Sequence, residues 1–305
     1  MVDREPPDIR DACPNGRARS DPGDRGYAPP MSEPAATPEP SGDAEHALGQ
    51  IVADLGAEHA ALDAVVSSID ETAWGTATAS PGWRIAEQIA HLAYFDSTAA
   101  LALDDSEGFV AHRQTAFAER GVDPSVAAAG LAPDELLAHW RSARAALLSA
   151  ATSAEPGSRI EWYGPSMGVV SFLTARLMEC WAHGVDVTDA LGLDPCDSDR
   201  LRHVAHLGFI TREWTYANRR EEMPPAPVRV ELSAPSGELW RHGPDDAAES
   251  IVGPGIDFAL VTTQRRNIAD TRLRVEGDAA RDWMSKAQLF AGRPSDPPAP
   301  SGSPT

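Results

Sequence analysis

Residues 176–186 read Arg-Leu-Met-Glu-Cys-Trp-Ala-His-Gly-Val-Asp and lie within a longer apolar stretch. Glu179 and His183 are four residues apart, so on a helix they lie on one face about one turn from each other. Their neighbours are largely apolar, and a carboxylate in dry surroundings is costly unless a partner compensates its charge. The stretch predicts a long helix over about 167–191, ending near Gly192, that carries an acid and an imidazole.

A second histidine with apolar neighbours is His91, which begins the stretch His-Leu-Ala-Tyr-Phe-Asp. If the two helices face each other, two imidazoles and one carboxylate form a divalent-metal site with open positions, as in catalytic zinc sites. The spacing alone is weak evidence, because chance Glu-x-x-x-His pairs and core histidines are common. Asp186 and Glu87 lie one turn from His183 and His91, and each could accept an imidazole N–H. The competing interpretation is that both are ordinary acids on helix surfaces.

Three further helices are predicted around this pair of motifs. Apolar residues recur at three- and four-residue spacings over about 45–70, and again from Ile85 to Phe95 around His91. Pro133, followed by two acids, begins another helix. Together with the helix over 167–191 these segments predict a four-helix bundle over 44–195, a fold in which inward-facing side chains commonly build metal sites.

The chain beyond residue 195 has a different pattern, which predicts a linking helix and a small α+β domain over 196–293. The linking helix covers about 198–219, short strands are expected at 228–232, 237–241 and 273–275, and helices at 254–266 and 278–291. The predicted fold class is therefore mainly α, a bundle followed by this small domain.

Both ends of the chain are rich in Pro, Gly and polar residues and poor in branched aliphatic residues. Such segments cannot bury enough apolar surface to offset the entropy of ordering. We therefore predict disordered tails over 1–43 and 294–305, and Met31 is an alternative to Met1 as the translation start.

The composition limits the partners of this chain of 305 residues, which carries 26 basic and 46 acidic residues and a formal net charge of -20. This charge repels phosphates and anionic headgroups, so neither nucleic acid nor membrane is expected as a partner. The three cysteines include no C-x-x-C pair, which offers no thiolate metal cage and fits a reducing cytoplasm. We expect a cytoplasmic monomer or homodimer that acts on a small molecule.

Two runs together resemble a known family: Ser80-Pro-Gly-Trp-Arg-Ile-Ala-Glu-Gln-Ile-Ala-His-Leu92 and Glu179-Cys-Trp-Ala-His-Gly-Val-Asp-Val-Thr-Asp-Ala-Leu-Gly192. They are similar to the N-terminal domain of mycothiol-dependent maleylpyruvate isomerases, which belongs to the wider DinB/YfiT-like metal-binding bundles. The resemblance covers roughly residues 45–192 and points to an uncharacterised metal-binding subgroup. It implies a DinB-like four-helix bundle, a zinc ion held by His91, Glu179 and His183, and a thiol such as mycothiol as cosubstrate.

The C-terminal portion is similar to the small domain that follows the bundle in those proteins. There an arginine helps to bind the anionic substrate, and Arg265 or Arg266 could fill this role. The competing interpretation is that both are ordinary surface arginines near a helix end.

Three functions remain open on this basis. The first is a thiol-dependent transferase or isomerase acting on a small electrophilic substrate, because zinc with open positions can convert a thiol to a nucleophilic thiolate at neutral pH. The second is a non-catalytic metal- or ligand-binding protein of the same fold. The third is a metal-dependent hydrolase that uses bound water instead of a thiol.

Overall fold

The computed structural model describes residues 41–116 and 123–302, and its largest part is a bundle of four long helices. These are α1 (Ser41–Val66), α2 (Ile85–Asp104), α4 (Pro133–Thr152) and α5 (Val169–Leu191), with the shorter α3 (Ser106–Thr115) after α2. α2 packs along α4, α1 packs along α5, and α2 also contacts α5. The prediction of a mainly α fold is confirmed.

Local sequence signals determine where the site-bearing helices begin and end. The Glu87 carboxylate accepts a hydrogen bond from the Arg84 backbone N–H at 2.8 Å, which satisfies an otherwise unpaired donor where α2 begins. α5 ends at Leu191 because Gly192 follows it with φ +69°, a left-handed conformation that glycine adopts without strain. These signals fix the start of α2, which carries His91, and the end of α5, which carries Glu179 and His183.

After the bundle, two short helices lead to a four-stranded sheet with the order β4-β3-β5-β6. β3 and β5 are parallel, whereas the β3–β4 and β5–β6 pairs are antiparallel. The elements of this part are α6 (Leu201–Ile210), α7 (Arg212–Arg219), β3 (Val228–Ser233), β4 (Leu239–His242), β5 (Glu249–Pro254), α8 (Gly255–Thr262), β6 (Arg274–Glu276) and α9 (Asp278–Met284). Two short strands, β1 (Arg159–Ile160) and β2 (Met167–Gly168), pair just before α5.

Several predicted elements differ from the structure in extent. The single linking helix is interrupted at Thr211, whose φ and ψ of -88° and 11° leave the helical range while its hydroxyl donates to the Leu207 carbonyl at 2.7 Å. α8 and α9 stop earlier than predicted, because the chain after α9 turns back and the Leu289 N–H donates to the Thr262 carbonyl at the end of α8. β5 was not predicted.

The predicted C-terminal tail differs from the structure over 294–302, where the chain packs against the small domain. The Gln264 side-chain amide donates to the Ser295 carbonyl at 2.7 Å, and the Asn267 amide donates to the Pro298 carbonyl at 2.8 Å. Composition did not reveal this, because the partners are polar side chains elsewhere in the fold. Of the predicted N-terminal tail, residues 41–43 begin α1, and residues 1–40, including Met31, lie outside the described residues.

The apolar core continues across the predicted boundary at residue 195. One cluster joins Ile51 of α1 and Leu177 of α5 to Val204 of α6, Phe258 of α8 and Trp283 of α9. The α+β portion is therefore packed directly against the bundle. Within residues 41–116 and 123–302, none of the helices combines the length and apolar character that crossing a bilayer requires.

Candidate metal centre

α2 and α5 bring His91, Glu179 and His183 to one point between them. Each residue offers a ligand atom, and these atoms all lie within 4.8 Å of one another. His183 Nε2 is 3.1 Å from Glu179 Oε2, and the ring centroids of the two histidines are 4.4 Å apart. Two ligands of a tetrahedral zinc, each about 2.0–2.1 Å from the metal, are about 3.3 Å apart. The spacing therefore fits a single divalent ion after small side-chain adjustments.

The tautomer of His183 follows from the hydrogen bonds of Gln88. The Thr78 hydroxyl donates to a backbone carbonyl at 2.9 Å, and the Ser80 hydroxyl donates to a carboxylate at 3.3 Å. Both hydroxyl oxygens can therefore accept from Gln88 Nε2, which lies 3.0 and 3.2 Å from them. Gln88 Oε1 then faces His183 Nδ1 at 2.7 Å and must accept its hydrogen. His183 therefore carries its hydrogen on Nδ1 and leaves the Nε2 lone pair for a metal.

A second hydrogen-bond chain fixes His91 in the same way. Ser125 lies in the 3₁₀ segment Pro124–Gly130, which packs on α2. Its hydroxyl donates to Asp123 Oδ1 at 2.7 Å, so its oxygen accepts from His91 Nδ1 at 3.1 Å. This arrangement leaves His91 Nε2 without a hydrogen.

Two hydrogen-bond acceptors, His183 Nε2 and Glu179 Oε2, face each other in this site. In the tautomer described, both His183 Nε2 and Glu179 Oε2 are acceptors, and at 3.1 Å they repel each other unless a proton or a metal ion lies between them. Burial lowers the pKa of His183 despite the opposing effect of Glu179, and burial together with His183 holds the pKa of His91 well below its usual range. Because burial disfavours extra protons on both rings, the arrangement is compatible with a divalent ion at this point.

Glu179 is ready to bind such an ion as a carboxylate. Burial raises its pKa, but neighbouring groups outweigh burial and lower the pKa below its usual range, among them Arg176, whose positive charge does not depend on the tautomer of His183. Its side chain is 28% exposed, whereas that of His183 is 6% exposed. The carboxylate thus lies on the side of the site that solvent and small ligands can reach.

Aromatic rings surround the two imidazoles. The Trp83 ring lies 5.0 Å from the His91 ring and stacks on the His183 ring at 6.0 Å, and the Phe95 ring lies 4.6 Å from the His91 ring. These side chains are only partly exposed. They limit water around the ligand atoms, which strengthens the attraction between these atoms and a cation.

A buried ion pair joins α2 and α5 within the bundle. Arg176 Nη2 donates to Asp96 Oδ1 at 2.9 Å, and Asp96 Oδ2 accepts from the Trp140 indole at 3.1 Å. Burial raises the pKa of Asp96, but the charges of His59 and Arg176 outweigh it and bring the pKa to about 2. Because Arg176 and Asp96 lie on the helices that carry the candidate ligands, their pairing helps to fix the distance between those helices.

The structure places the two predicted supporting acids away from the imidazole N–H groups. Asp186 Oδ2 is 3.9 Å from His183 Nδ1, beyond hydrogen-bond distance, and Gln88 occupies the accepting position. Glu87 instead bonds the Arg84 backbone and guanidinium where α2 begins. A separation of one helical turn does not determine which group an acid bonds. Glu87 lies in the first turn of α2, where unpaired backbone N–H groups compete with His91 for its carboxylate.

Arg265 and Arg266, the predicted substrate-binding residues, both bond to α5. Arg265 is 2% exposed, and its Nη2 donates to the Ala182 carbonyl at 2.9 Å and to Asp186 Oδ2 at 3.4 Å. Arg266 makes two hydrogen bonds of 2.8 Å to the Asp189 carboxylate. Arg265 is therefore neither a surface arginine nor open to a substrate in this arrangement.

Two neutral side chains that hold the imidazoles, Gln88 and Ser125, were not predicted from the sequence. Gln88 lies inside the run from Ser80 to Leu92, one residue beyond Glu87, the predicted partner of His91. Gln88 could have been considered as a partner of a histidine, because the oxygen of a neutral amide can also accept an imidazole N–H. Ser125 lies 34 residues from His91 with no motif around it, so nothing in the sequence singled it out.

Comparison with known proteins identifies relatives of this chain. The sequence pattern of the mycothiol maleylpyruvate isomerase N-terminal domain matches residues 55–188. An uncharacterised protein of Mycobacterium tuberculosis strain CDC 1551 / Oshkosh is 41% identical over 250 residues, which cover 81% of this chain and 97% of that protein. An uncharacterised protein of strain ATCC 25618 / H37Rv matches with the same identity and coverage.

Two solved structures also match, both at 16% sequence identity. The crystal structure of the mycothiol-dependent maleylpyruvate isomerase aligns with a TM-score of 0.45 and covers 78% of this chain and 93% of its own. A mutant of that isomerase aligns with a TM-score of 0.43, covering 73% of this chain and 88% of its own.

Proposed function

This chain belongs to the mycothiol-dependent maleylpyruvate isomerase-like family, and from that premise we propose that it is a metal-dependent enzyme that uses a low-molecular-weight thiol. The reaction is transfer of the thiol to a small electrophilic substrate, or isomerisation of that substrate through thiol addition and elimination. The observation that carries the proposal is that ligand atoms of His91, Glu179 and His183 lie within 4.8 Å of one another. The hydrogen bonds of Gln88 and Ser125 to the two Nδ1 atoms support it, because they favour the tautomers that leave Nε2 free to bind an ion.

His91 Nε2, His183 Nε2 and Glu179 would hold the ion, with residues 44–195 as the metal-binding unit. Zinc is our choice, because two imidazoles and one carboxylate with an open position form a typical catalytic zinc site. When bound, the ion would lower the pKa of a thiol or water that occupies the open position. A thiol of the mycothiol class is preferred over water because of the family to which the chain belongs.

The protein side chains have distinct parts in this proposal. Gln88 and Ser125 hold the two Nδ1–H groups, so that neither ring can present its protonated nitrogen to the ion. Trp83 and Phe95 keep water from the imidazoles. The partly exposed Glu179 marks the direction from which thiol and electrophile would approach.

Metal analysis of the purified protein is the first test. The wild type, exposed to zinc and then desalted, should retain about one zinc per chain, and His183→Ala should retain much less. His139→Ala is the matched control, because His139 is an exposed histidine on α4 outside the site. A wild type that holds no more metal than His183→Ala would contradict the proposal.

The second test mixes the zinc-loaded protein with a panel of small electrophiles, with and without a low-molecular-weight thiol. Thiol-dependent turnover that His183→Ala abolishes supports the proposed enzyme. Turnover without thiol would favour the hydrolase instead, and metal retention without any turnover would favour the non-catalytic binding protein.

A further inference from the structure

We propose that Arg265, in the α+β portion, is a positioning residue for the metal site in the bundle, acting on His183 through Asp186, Ser80 and Gln88. This inference rests on the proposed function and deepens it. The C-terminal portion would then influence the metal affinity of the bundle. In this proposal Arg265 positions His183 and does not contact the substrate.

A directional chain of hydrogen bonds carries the proposal. Arg265 Nη2 donates to Asp186 Oδ2 at 3.4 Å, and the same carboxylate oxygen accepts from the Ser80 hydroxyl at 3.3 Å. The Ser80 oxygen accepts from Gln88 Nε2 at 3.2 Å, and Gln88 Oε1 accepts from His183 Nδ1 at 2.7 Å. Each member has one orientation that satisfies its neighbours, so the guanidinium at one end and the imidazole at the other are linked.

Arg265 also holds the backbone of the ligand-bearing helix. Its Nη2 donates to the carbonyl of Ala182, the residue before His183, at 2.9 Å, and its Nη1 donates to the Thr263 carbonyl at 2.8 Å. Asp186 is fully buried, and Arg265 is the cation paired with it. Without this cation the buried carboxylate would no longer be held in place, so the Ser80 hydroxyl would lose its fixed acceptor and the Gln88 amide could turn away from the orientation that accepts from His183.

The backbone conformation before Arg265 directs this side chain towards α5 of the bundle. Gln264 adopts φ +57°, a left-handed conformation that is unfavourable for a residue other than glycine. Its buried amide donates to the Ala287 and Ser295 carbonyls at 3.1 and 2.7 Å, which holds the turn in place. The turn directs the chain back after α8, and the N–H groups of both Arg265 and Arg266 donate to the Leu260 carbonyl.

The test compares Arg265→Met and Asp186→Asn with Arg200→Met in the full chain. Arg200→Met is a matched control, because Arg200 also follows the bundle and pairs with a buried bundle acid, Glu58, at 2.7 Å. That pair is not part of the hydrogen-bond chain. Asp186→Asn keeps the hydrogen bonds from Arg265 to the Ala182 and Thr263 carbonyls. It provides the test if Arg265→Met does not fold.

Two measurements distinguish positioning from a general loss of stability. In the metal-free protein, nitrogen NMR should report His183 as a single tautomer with hydrogen on Nδ1 in the wild type and in Arg200→Met, and as a mixture in the two test variants. Zinc affinity, measured against a competing chelator, should fall about 10- to 100-fold in the test variants and less than about 3-fold in Arg200→Met. Arg265→Lys, which keeps the charge, should recover part of the loss.

Wild-type zinc affinity and an unchanged His183 tautomer in Arg265→Met or Asp186→Asn would overturn the inference. Equal losses in Arg200→Met would also overturn it, because they would show a general loosening of the fold. A wild type that binds no zinc would instead contradict the proposed function, while the tautomer measurement would still test the link between Arg265 and His183.

Discussion

Two neutral side chains, Gln88 and Ser125, decide which nitrogen of each candidate histidine ligand carries the hydrogen. The sequence revealed the histidines and Glu179, because imidazoles and an acid among apolar neighbours stand out at helical spacing. It did not reveal Gln88 and Ser125, because the role of an amide or a hydroxyl depends on its position in the folded protein, and such residues form no periodic sequence pattern. The same reasoning applies to Asp186, whose spacing predicts a hydrogen bond with His183 although its carboxylate accepts from Ser80 and Arg265.

Replacing Ser125 with alanine tests the support of His91. Without the hydroxyl, His91 Nδ1–H loses its acceptor and the ring is free to change tautomer, so zinc affinity should fall about 10-fold. Competition with a chelator measures this change. Thr152→Ala is the control, because that hydroxyl bonds the carbonyl of Leu148 within α4. Equal zinc affinity in Ser125→Ala and the wild type would show that Ser125 does not position His91.

The pH dependence of stability tests the burial of the histidines in the metal-free protein. The pKa of His91 lies well below its usual value in the folded state, so the unfolded state binds more protons below pH 6.5. The stabilisation is therefore present above about pH 6.5 and lost as the pH falls below it, at up to about 1.4 kcal/mol per pH unit for each such group. His183, His203, His206 and His242 also have lowered pKa values and add to the slope.

His91→Gln separates the contribution of His91 from that of the other histidines. In urea unfolding with a chelator present, the variant should lose less stability than the wild type between about pH 6.5 and 5. Parallel curves for the two proteins would mean that His91 titrates in the folded protein as it does in the unfolded chain.

At the scale of elements, the helices of the bundle could be predicted because each carries its own signals. Apolar residues recur at helical spacing, Pro133 begins α4 and Gly192 follows α5. β5 could not be predicted in this way. It has β3 on one side and β6 on the other, so its strand conformation depends on partners distant in the sequence.

The pairing of α2 with α5 can be tested by Arg176→Met. Removing the guanidinium leaves Asp96 buried without that cation, and breaking a buried pair in this way costs about 3–5 kcal/mol of unfolding free energy. Chemical denaturation of the metal-free protein measures the change. Arg281→Met, which removes a well-exposed pair with Asp278, should leave stability unchanged. A similarly small effect of Arg176→Met would show that this pair does not hold the two helices together.

At the scale of the whole molecule, one apolar cluster spans the bundle and the α+β portion, and hydrogen bonds from Arg265 join the two parts near the candidate metal site. The sequence predicted a boundary at residue 195 from a change in pattern, which is a local property. Packing across that boundary depends on side chains such as Val204 and Phe258, which contact the bundle only in the folded protein. A local sequence pattern does not predict such contacts.

Truncation after Arg293 tests whether the last described segment belongs to the folded unit. Gln264 would lose the Ser295 carbonyl as an acceptor, and Arg219 would lose Asp296, so the unfolding free energy should fall by about 1–3 kcal/mol. Thermal and urea unfolding measure the loss. A chain ending at Gly302 should match the full chain, and no loss on truncation after Arg293 would support the predicted disordered tail.

The most direct test of the metal centre is anomalous diffraction at the zinc edge from crystals grown with zinc. We predict one strong peak about 2.0–2.2 Å from His91 Nε2, His183 Nε2 and a Glu179 carboxylate oxygen, and no such peak in His183→Ala. A wild-type map without density at that point, or with zinc bound only through other residues, would contradict the account.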